Sequence, residues 1–439
     1  MWKFLLLGTV ATLAAAGVTL PCAALAQKQA ASFLVTKDQL AMEEQARRLL
    51  QSNVVKDEIA RSAAYLKALP GGMSRQDLAD VDTYVHNLAF CVALALVNSD
   101  PARPRVLYDG FPGAEYGLVN PDNIYRYIPV SSTSVYRISG RMGGSEHVSF
   151  QLTDFAQFTG GRLANIFATL SSDKLQVGPD GSFTITLGPD AANGRPNYFQ
   201  LSAATTSVMI RDTMSDWSQA PMDLTVRRIS GPSTPAPTDA ALATRVASGL
   251  AASVKLWVKI PRTYHYNKPA NTLPPPQATG AGGLQGQYNI AGNFKLSDDD
   301  AVVITARKGS ARYLGFQLGS NWYVPFNYAA HSSSLNSHQA AANPDGSYTY
   351  VIALRDPGVA NWLDPVGHPT GVTLMRWQGL DAPLAAEDAP VVQLVRFEDL
   401  ARALPPGIKM MTPAERAQQM QERQRQVQQR RPVKKTSDH

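Results

Sequence analysis

Residues 356–368, DPGVANWLDPVGH, crowd chemistry-bearing side chains into one turn-rich stretch. Asp356 and Asp364 are two carboxylates, and His368 is an imidazole that titrates near neutrality. Carboxylates facing each other across a cleft can divide general-acid and general-base work, with the imidazole carrying the proton. The catalytic candidates are therefore Asp356, Asp364 and His368. Trp362 offers a flat apolar face to a sugar ring or another flat ligand. Arg355 and Asn361 add hydrogen-bonding groups, and Trp322, His331 and His338 stand upstream in the same half of the chain. These six are the ligand-binding candidates. His331, His338 and His368 are also the residue types of a three-histidine zinc site. A seven-residue spacing shares a face only on a helix, and the Ser and Asn residues between the first two disfavour one. No metal is assigned, and no cofactor is implied. The competing reading of 356–368 is structural: Asp356-Pro357-Gly358 is a turn signature, and Asp side chains in such loops accept backbone N–H groups. A G-x-S-x-G elbow, a P-loop and a dinucleotide-binding glycine turn are all missing from the sequence.

The elements that must position these residues are mainly β. From about 116 to 230 the chain alternates apolar and polar residues in short runs such as VYRISG and HVSFQL, which predicts half-buried antiparallel strands. PDGS turns feed further strands. A second β region spans about 284–398, and it repeats the first. YRISGRMGGSEHVSFQL (136–152) aligns without gaps on VVITARKGSARYLGFQL (302–318), with 6 of 17 positions identical, Gln151/Gln317 among them. PDGSFTI, PNYF and SVMIR then fall opposite PDGSYTY, ANWL and VTLMR in the same order. Two homologous jelly-roll-like antiparallel β-sandwich domains follow, each covering its own core. The duplication sorts residues. Those kept in both copies, such as Arg141/Arg307 and Arg211/Arg376, are expected to serve the fold. Those present in the second copy alone are expected to serve function, and every candidate above except Asn361, which falls opposite Asn197, is of that kind.

These motifs carry a resemblance. NPDNIYRYIPV…YRISGRMG…VSFQL…PDGSF…NYF…DLTVRRI resembles the bacterial family called domain of unknown function 1214, which often stands beside its companion 1254. NWYVPFNY…NPDGSYTYVIALRDPGVANWLDPVGH…RW is similar to the C-terminal half of its longer members. The resemblance covers about 116–398 and implies a pair of jelly-roll-like sandwiches, with no settled reaction. Asn327-Tyr328-Ala329 departs from those longer members, which carry an acidic residue before an aromatic–Arg pair.

Outside the repeats, residues 1–26 read as a signal peptide: Lys3, an apolar run from Leu5 to Leu20, and Ala24-Leu25-Ala26 as the cleavage site. A periplasmic or secreted protein is expected, with no transmembrane segment after cleavage. Cys22 leaves with the signal, and Cys91 in LAFCVALAL is expected to be a buried structural thiol. Residues 27–115 form a helical region, with one helix over 36–69 and a second from Ser74 ended by Asn98–Pro104. Residues 231–283 hold a Pro-rich linker and a connecting helix over about 239–258. The formal charge of +6 is concentrated in the tail, where 414–439 carries seven basic and three acidic residues. The remaining body is near neutral, which argues against nucleic acid. The Gln/Arg-rich tail, 401–439, is expected to be disordered, with a weak contact to an anionic envelope surface. Three functions fit. The first is a protein binding a glycan or small apolar ligand at the second sandwich. The second is a hydrolase or lyase using Asp356, Asp364 and His368. The third is a structural, homo-oligomeric envelope protein.

Overall fold

The computed structural model describes residues 34–69, 73–280, 283–284, 286–385 and 388–431. The expected signal peptide and the last residues of the tail lie outside these. Three helices open the described chain: α1 (Lys37–Leu50), α2 (Asn53–Lys67) and α3 (Arg75–Val97). The single helix expected over 36–69 is broken at Gln51–Ser52, where the Ser52 hydroxyl bonds back to Leu49 O at 2.7 Å. Leu40 and Val54, expected on its buried face, are exposed. Ser74 caps α3 with a reciprocal Asp77 bond. α3 is long and apolar enough to cross a membrane, and 72% of its most apolar window is buried inside the molecule.

The first repeat holds β1 (Leu107–Asp109), β2 (Asn123–Pro129), β3 (Val135–Arg141), β4 (His147–Thr153), β5 (Ile166–Ser171), β6 (Ser182–Gly188), β7 (Tyr198–Gln200), β8 (Ser207–Thr213) and β9 (Asp223–Ser230). Residues 231–238 are exposed and without regular structure, as a linker should be. Helix α4 (Asp239–Tyr264) follows, buried through Leu242, Val246, Leu250 and Val254. The second repeat holds β10 (Gln277–Ala278), β11 (Tyr288–Lys295), β12 (Asp300–Ala306), β13 (Tyr313–Gly319), β14 (Ser334–Asn336), β15 (Tyr348–Ala353), β16 (Trp362–Leu363), β17 (Thr370–Gln378) and β18 (Val391–Arg396). Two further helices are α5 (Leu400–Ala403) and α6 (Pro413–Arg430).

The repeats share one topology. The five-stranded sheet β1-β2-β8-β4-β5 matches β10-β11-β17-β13-β14, and the four-stranded β7-β6-β3-β9 matches β16-β15-β12-β18. Within the latter sheets β6/β7 and β15/β16 pair in parallel, so the sandwiches are not purely antiparallel. Each sandwich fills its own core, around Phe150 and Ile210 in the first and around Phe316 and Met375 in the second. Arg141 and Arg307 both buttress the PDG turn beside them, on Asp180 and Asp345.

The inner strands are not half-buried. β2, β4, β8 and β13 are buried along their whole length. Val148, Phe150 and Leu152 of β4 enter the sandwich core, while Ser149, Gln151 and Thr153 on the opposite face are buried as well. That polar face is covered because the two five-stranded sheets face each other. Thr213 donates to Gln378 at 3.0 Å, and these two residues hold equivalent places in the repeats. Equivalent residues meet in this way only near a local two-fold axis.

The expectation of a disordered tail is overturned over residues 413–430. Thr412 and Glu415 form a capping box at the start of α6. Arg416, Arg423 and Arg430 recur every seven residues, which keeps them on one helix face, and all three are buried. Arg416 reaches the Val359 and Ala360 carbonyls, Arg423 reaches Tyr328 O, and Arg430 reaches Pro121 O. Arg423 and Arg430 also stack over the Trp217 ring, 4.6 and 4.8 Å from its centroid. Arginine, not apolar surface, seats this helix across both repeats.

Candidate functional site

The residues singled out from sequence do not converge on one site, and of the catalytic candidates only Asp364 meets another of them, His331. Asp356 accepts the Gly358 N–H at 2.9 Å and pairs with Arg416 of α6 at 3.0 Å. Asp364 accepts the Val366 N–H at 2.7 Å and contacts His331 Nδ1 at 2.8 Å. His368 is buried between two carboxylates of α3, 3.5 Å from Asp77 and 3.3 Å from Asp80. The three intended catalytic groups thus take three separate partners. Trp322 is 1% exposed, stacks on Tyr84 and donates to Asp77 O at 2.9 Å, so its face is not offered to a ligand. Asn361 bonds both the N–H and the carbonyl of Ala341, as Asn197 bonds Gln176 in the first repeat. Trp362 donates to Ala353 O and lies under Arg416. Arg355 stacks on Phe397 beside Asp299. His338 sits near Asp216 of the first repeat. The 356–368 stretch is therefore a stitched corner on which α6 docks. Among the described residues no group of three or more His, Cys, Asp and Glu side chains is placed to hold a metal ion.

A cavity of about 430 Å³ lies instead between the two inner sheets and α4. That volume falls within the usual range for small-molecule sites. Strand periodicity puts its wall in place. Asn123, Tyr125 and Tyr127 alternate along β2, Met209 and Arg211 along β8, Asn289 and Ala291 along β11, and Leu374 and Arg376 along β17. Ladder register sets Tyr125 beside Arg211 and, in the second repeat, Asn289 beside Arg376. The aromatic side is thus supplied mainly by the first repeat and its flanking segments, with Tyr323 added from the second.

Tyr116, Trp257 and Tyr323 form a row of rings along one wall, with centroids 5.9 and 6.2 Å apart. Gly117 makes room for Trp257: its φ is +58°, and an added Cβ would lie 2.7 Å from the indole. Leu118 and Tyr323, both at positive φ, are joined by a 2.7 Å bond from Leu118 N–H to Tyr323 O. Such conformations cost about 1–3 kcal/mol each and persist where surrounding structure over-determines them. His265 closes the end of α4 with Nδ1 on Gly292 O at 2.8 Å, and burial pushes its pKa down to about 4, so it is neutral. Burial raises Tyr116 and Tyr127 and pushes Tyr323 up to about 12, which keeps all three phenols protonated.

The charge at this site is positive. Arg376 is 8% exposed, with Nη1 on Gln317 Oε1 and Nη2 on Leu118 O at 2.9 Å. Both partners are neutral, so neither cancels its charge. Arg211, equally buried, meets Gln151 Oε1 in the same way. The Arg–Gln pair is thus repeated in both sandwiches, and its arginine is delivered twice to one cavity. Sequence sorting set these arginines aside because both copies kept them. Their signal was legible in another form: a charged residue on a strand whose polar face had to be covered.

No family model matches the chain, and no curated protein matches it. The fold is similar to the crystal structure of an uncharacterized protein from Burkholderia cenocepacia. That likeness has 27% identity and a TM-score of 0.70, over 80% of this chain and 99% of that one. A protein from Vibrio parahaemolyticus aligns at 13% identity and a TM-score of 0.41, over 79% of this chain and 100% of that one.

Proposed function

We propose that the protein binds a small, flat, mainly apolar molecule carrying one anionic group, held between its two sandwiches. The observation that supports this is one cavity walled by Tyr116, Tyr125, Tyr127, Trp257 and Tyr323 and carrying Arg211 and Arg376. Rings give a flat ligand contact area, and the buried guanidinium of Arg376, held by Gln317 and the Leu118 carbonyl, favours a carboxylate. This keeps the small apolar ligand expected from sequence and moves it from the second sandwich to the seam. The hydrolase or lyase reading gains nothing, since Asp356, Asp364 and His368 are each spent on a local contact. Export belongs to the same proposal and rests on the signal-like residues 1–26.

Thermal-shift titration with 4-nitrobenzoate, nitrobenzene and glucose tests the reading. The carboxylate should raise the melting temperature most and glucose not at all. Arg376→Gln should weaken carboxylate binding about 10- to 100-fold, the range for a charge-assisted hydrogen bond. Equal responses to 4-nitrobenzoate and nitrobenzene would remove the anionic part of the proposal; no response to either would remove all of it.

A further inference from the structure

Behind the cavity wall runs a chain of hydroxyl groups that the carboxylate reading leaves unused. The Tyr127 hydroxyl is 2.9 Å from the Tyr116 hydroxyl, 3.3 Å from Met209 Sδ and 3.5 Å from Gln157 Nε2, and all four residues line the cavity. Tyr116 in turn neighbours the carboxyl of Asp109, at the end of β1. Asp109 is 1% exposed, its Oδ1 accepts the Gly110 N–H at 2.7 Å, and its Oδ2 has no hydrogen-bond partner. A buried carboxyl so sparsely bonded favours its neutral form. Burial indeed pushes Asp109 up to about 7.

We infer that Tyr127, backed by Tyr116 and Asp109, forms an oxyanion position, and that the cavity ligand presents a phenolic or enolic oxygen to it. This rests on the cavity being the ligand site. Each group in the chain has one proton to give. When Asp109 is ionised, Tyr116 donates to it; when Asp109 is neutral it can donate to Tyr116 instead, which turns the Tyr116 proton toward Tyr127, and the Tyr127 proton, otherwise given to the weakly accepting Met209 sulfur, toward the ligand. Hydrogen bonds aligned in series reinforce one another, and donors fixed in a dry site stabilise negative charge better than mobile water does. The surroundings add both signs. Arg211 of β8 favours an anion near Tyr127. Cys91 of α3 faces the Asp109 end, and burial raises it, which keeps it neutral there; Glu115 of the β1–β2 connection neighbours Cys91 and is also raised by burial.

The probe is 4-nitrophenol, whose ionised form absorbs at longer wavelength. Absorbance titration of the full chain across pH should show the bound phenol ionising at lower pH than the free one. Tyr127→Phe should bind it about tenfold more weakly, as loss of one hydrogen bond predicts, and should lose the shift. Tyr116→Phe, which leaves Tyr127 in place, should keep binding and lose part of the shift. An unshifted bound phenol, or Tyr127→Phe behaving as wild type, overturns the inference. Binding of 4-nitrobenzoate without binding of 4-nitrophenol overturns this inference alone; binding of neither overturns the cavity reading with it.

Discussion

Burial acts on two residues with opposite sign. Asp109 has its folded value raised from 3.8 to about 7, so its contribution to stability is whole below pH 3.8 and is lost as pH rises through 7. His265 is lowered from 6.5 to about 4, so its contribution is whole above pH 6.5 and is lost as pH falls through 4. Denaturant unfolding of Asp109→Asn against wild type should show wild type losing ground between pH 4 and 7, by on the order of 4 kcal/mol at most. A difference that stays flat over that window would mean that Asp109 is solvated. His265→Gln should flatten the loss of stability between pH 6.5 and 4, worth roughly 3 kcal/mol in wild type. At this scale the sequence was hard to read. Asn361 and Trp362 look like ligand groups because a loop corner and a binding loop use the same residue types. Only their partners, Ala341 and Ala353, tell them apart. Tyr127 stands inside the NPDNIYRYIPV block, which marks fold and not chemistry, and Asp109 stands in no motif; their meaning comes from what surrounds them.

Elements were more legible. The repeated strand blocks, the helix start at Ser74 and the buried stripe of α4 all follow from periodicity and helix breakers, and the structure has them. Besides the break at Gln51–Ser52, two elements were misread for physical reasons. The inner strands alternate like half-exposed strands, because their second face is polar; it is buried against another polar face, which hydropathy cannot register. Helix α6 has almost no apolar residues, so composition points to disorder, yet arginines at seven-residue spacing hold it down. Arg423 is the test. It is 4% exposed, and burial pushes its pKa down to about 10 against the pull of Asp122. Arg423→Gln should cost about 1–3 kcal/mol by leaving the Tyr328 carbonyl without its donor, measured by chemical denaturation. Truncation after Met411 should expose Trp217 and shift its fluorescence to the red. Wild-type stability in both variants would show α6 to be a passenger.

In the whole molecule, duplication does more than build two sandwiches. The arginines it doubled, Arg211 bonded to Gln151 and Arg376 bonded to Gln317, line the same cavity, one from each repeat. A site on a local two-fold axis is made from duplicated residues, so comparing copies hides it instead of revealing it. The first repeat then adds Tyr125 and Tyr127 where the second places Asn289 and Ala291. That asymmetry gives the cavity an aromatic side and an open side, and it suggests the most direct measurement. Calorimetric titration of 4-nitrobenzoate is to be run on wild type and on Ala291→Phe, which sets a ring into the open side. The account predicts one equivalent bound by wild type and no heat from a folded Ala291→Phe. Undiminished binding by that variant, or none by wild type, would contradict the claim that the ligand lies between the repeats.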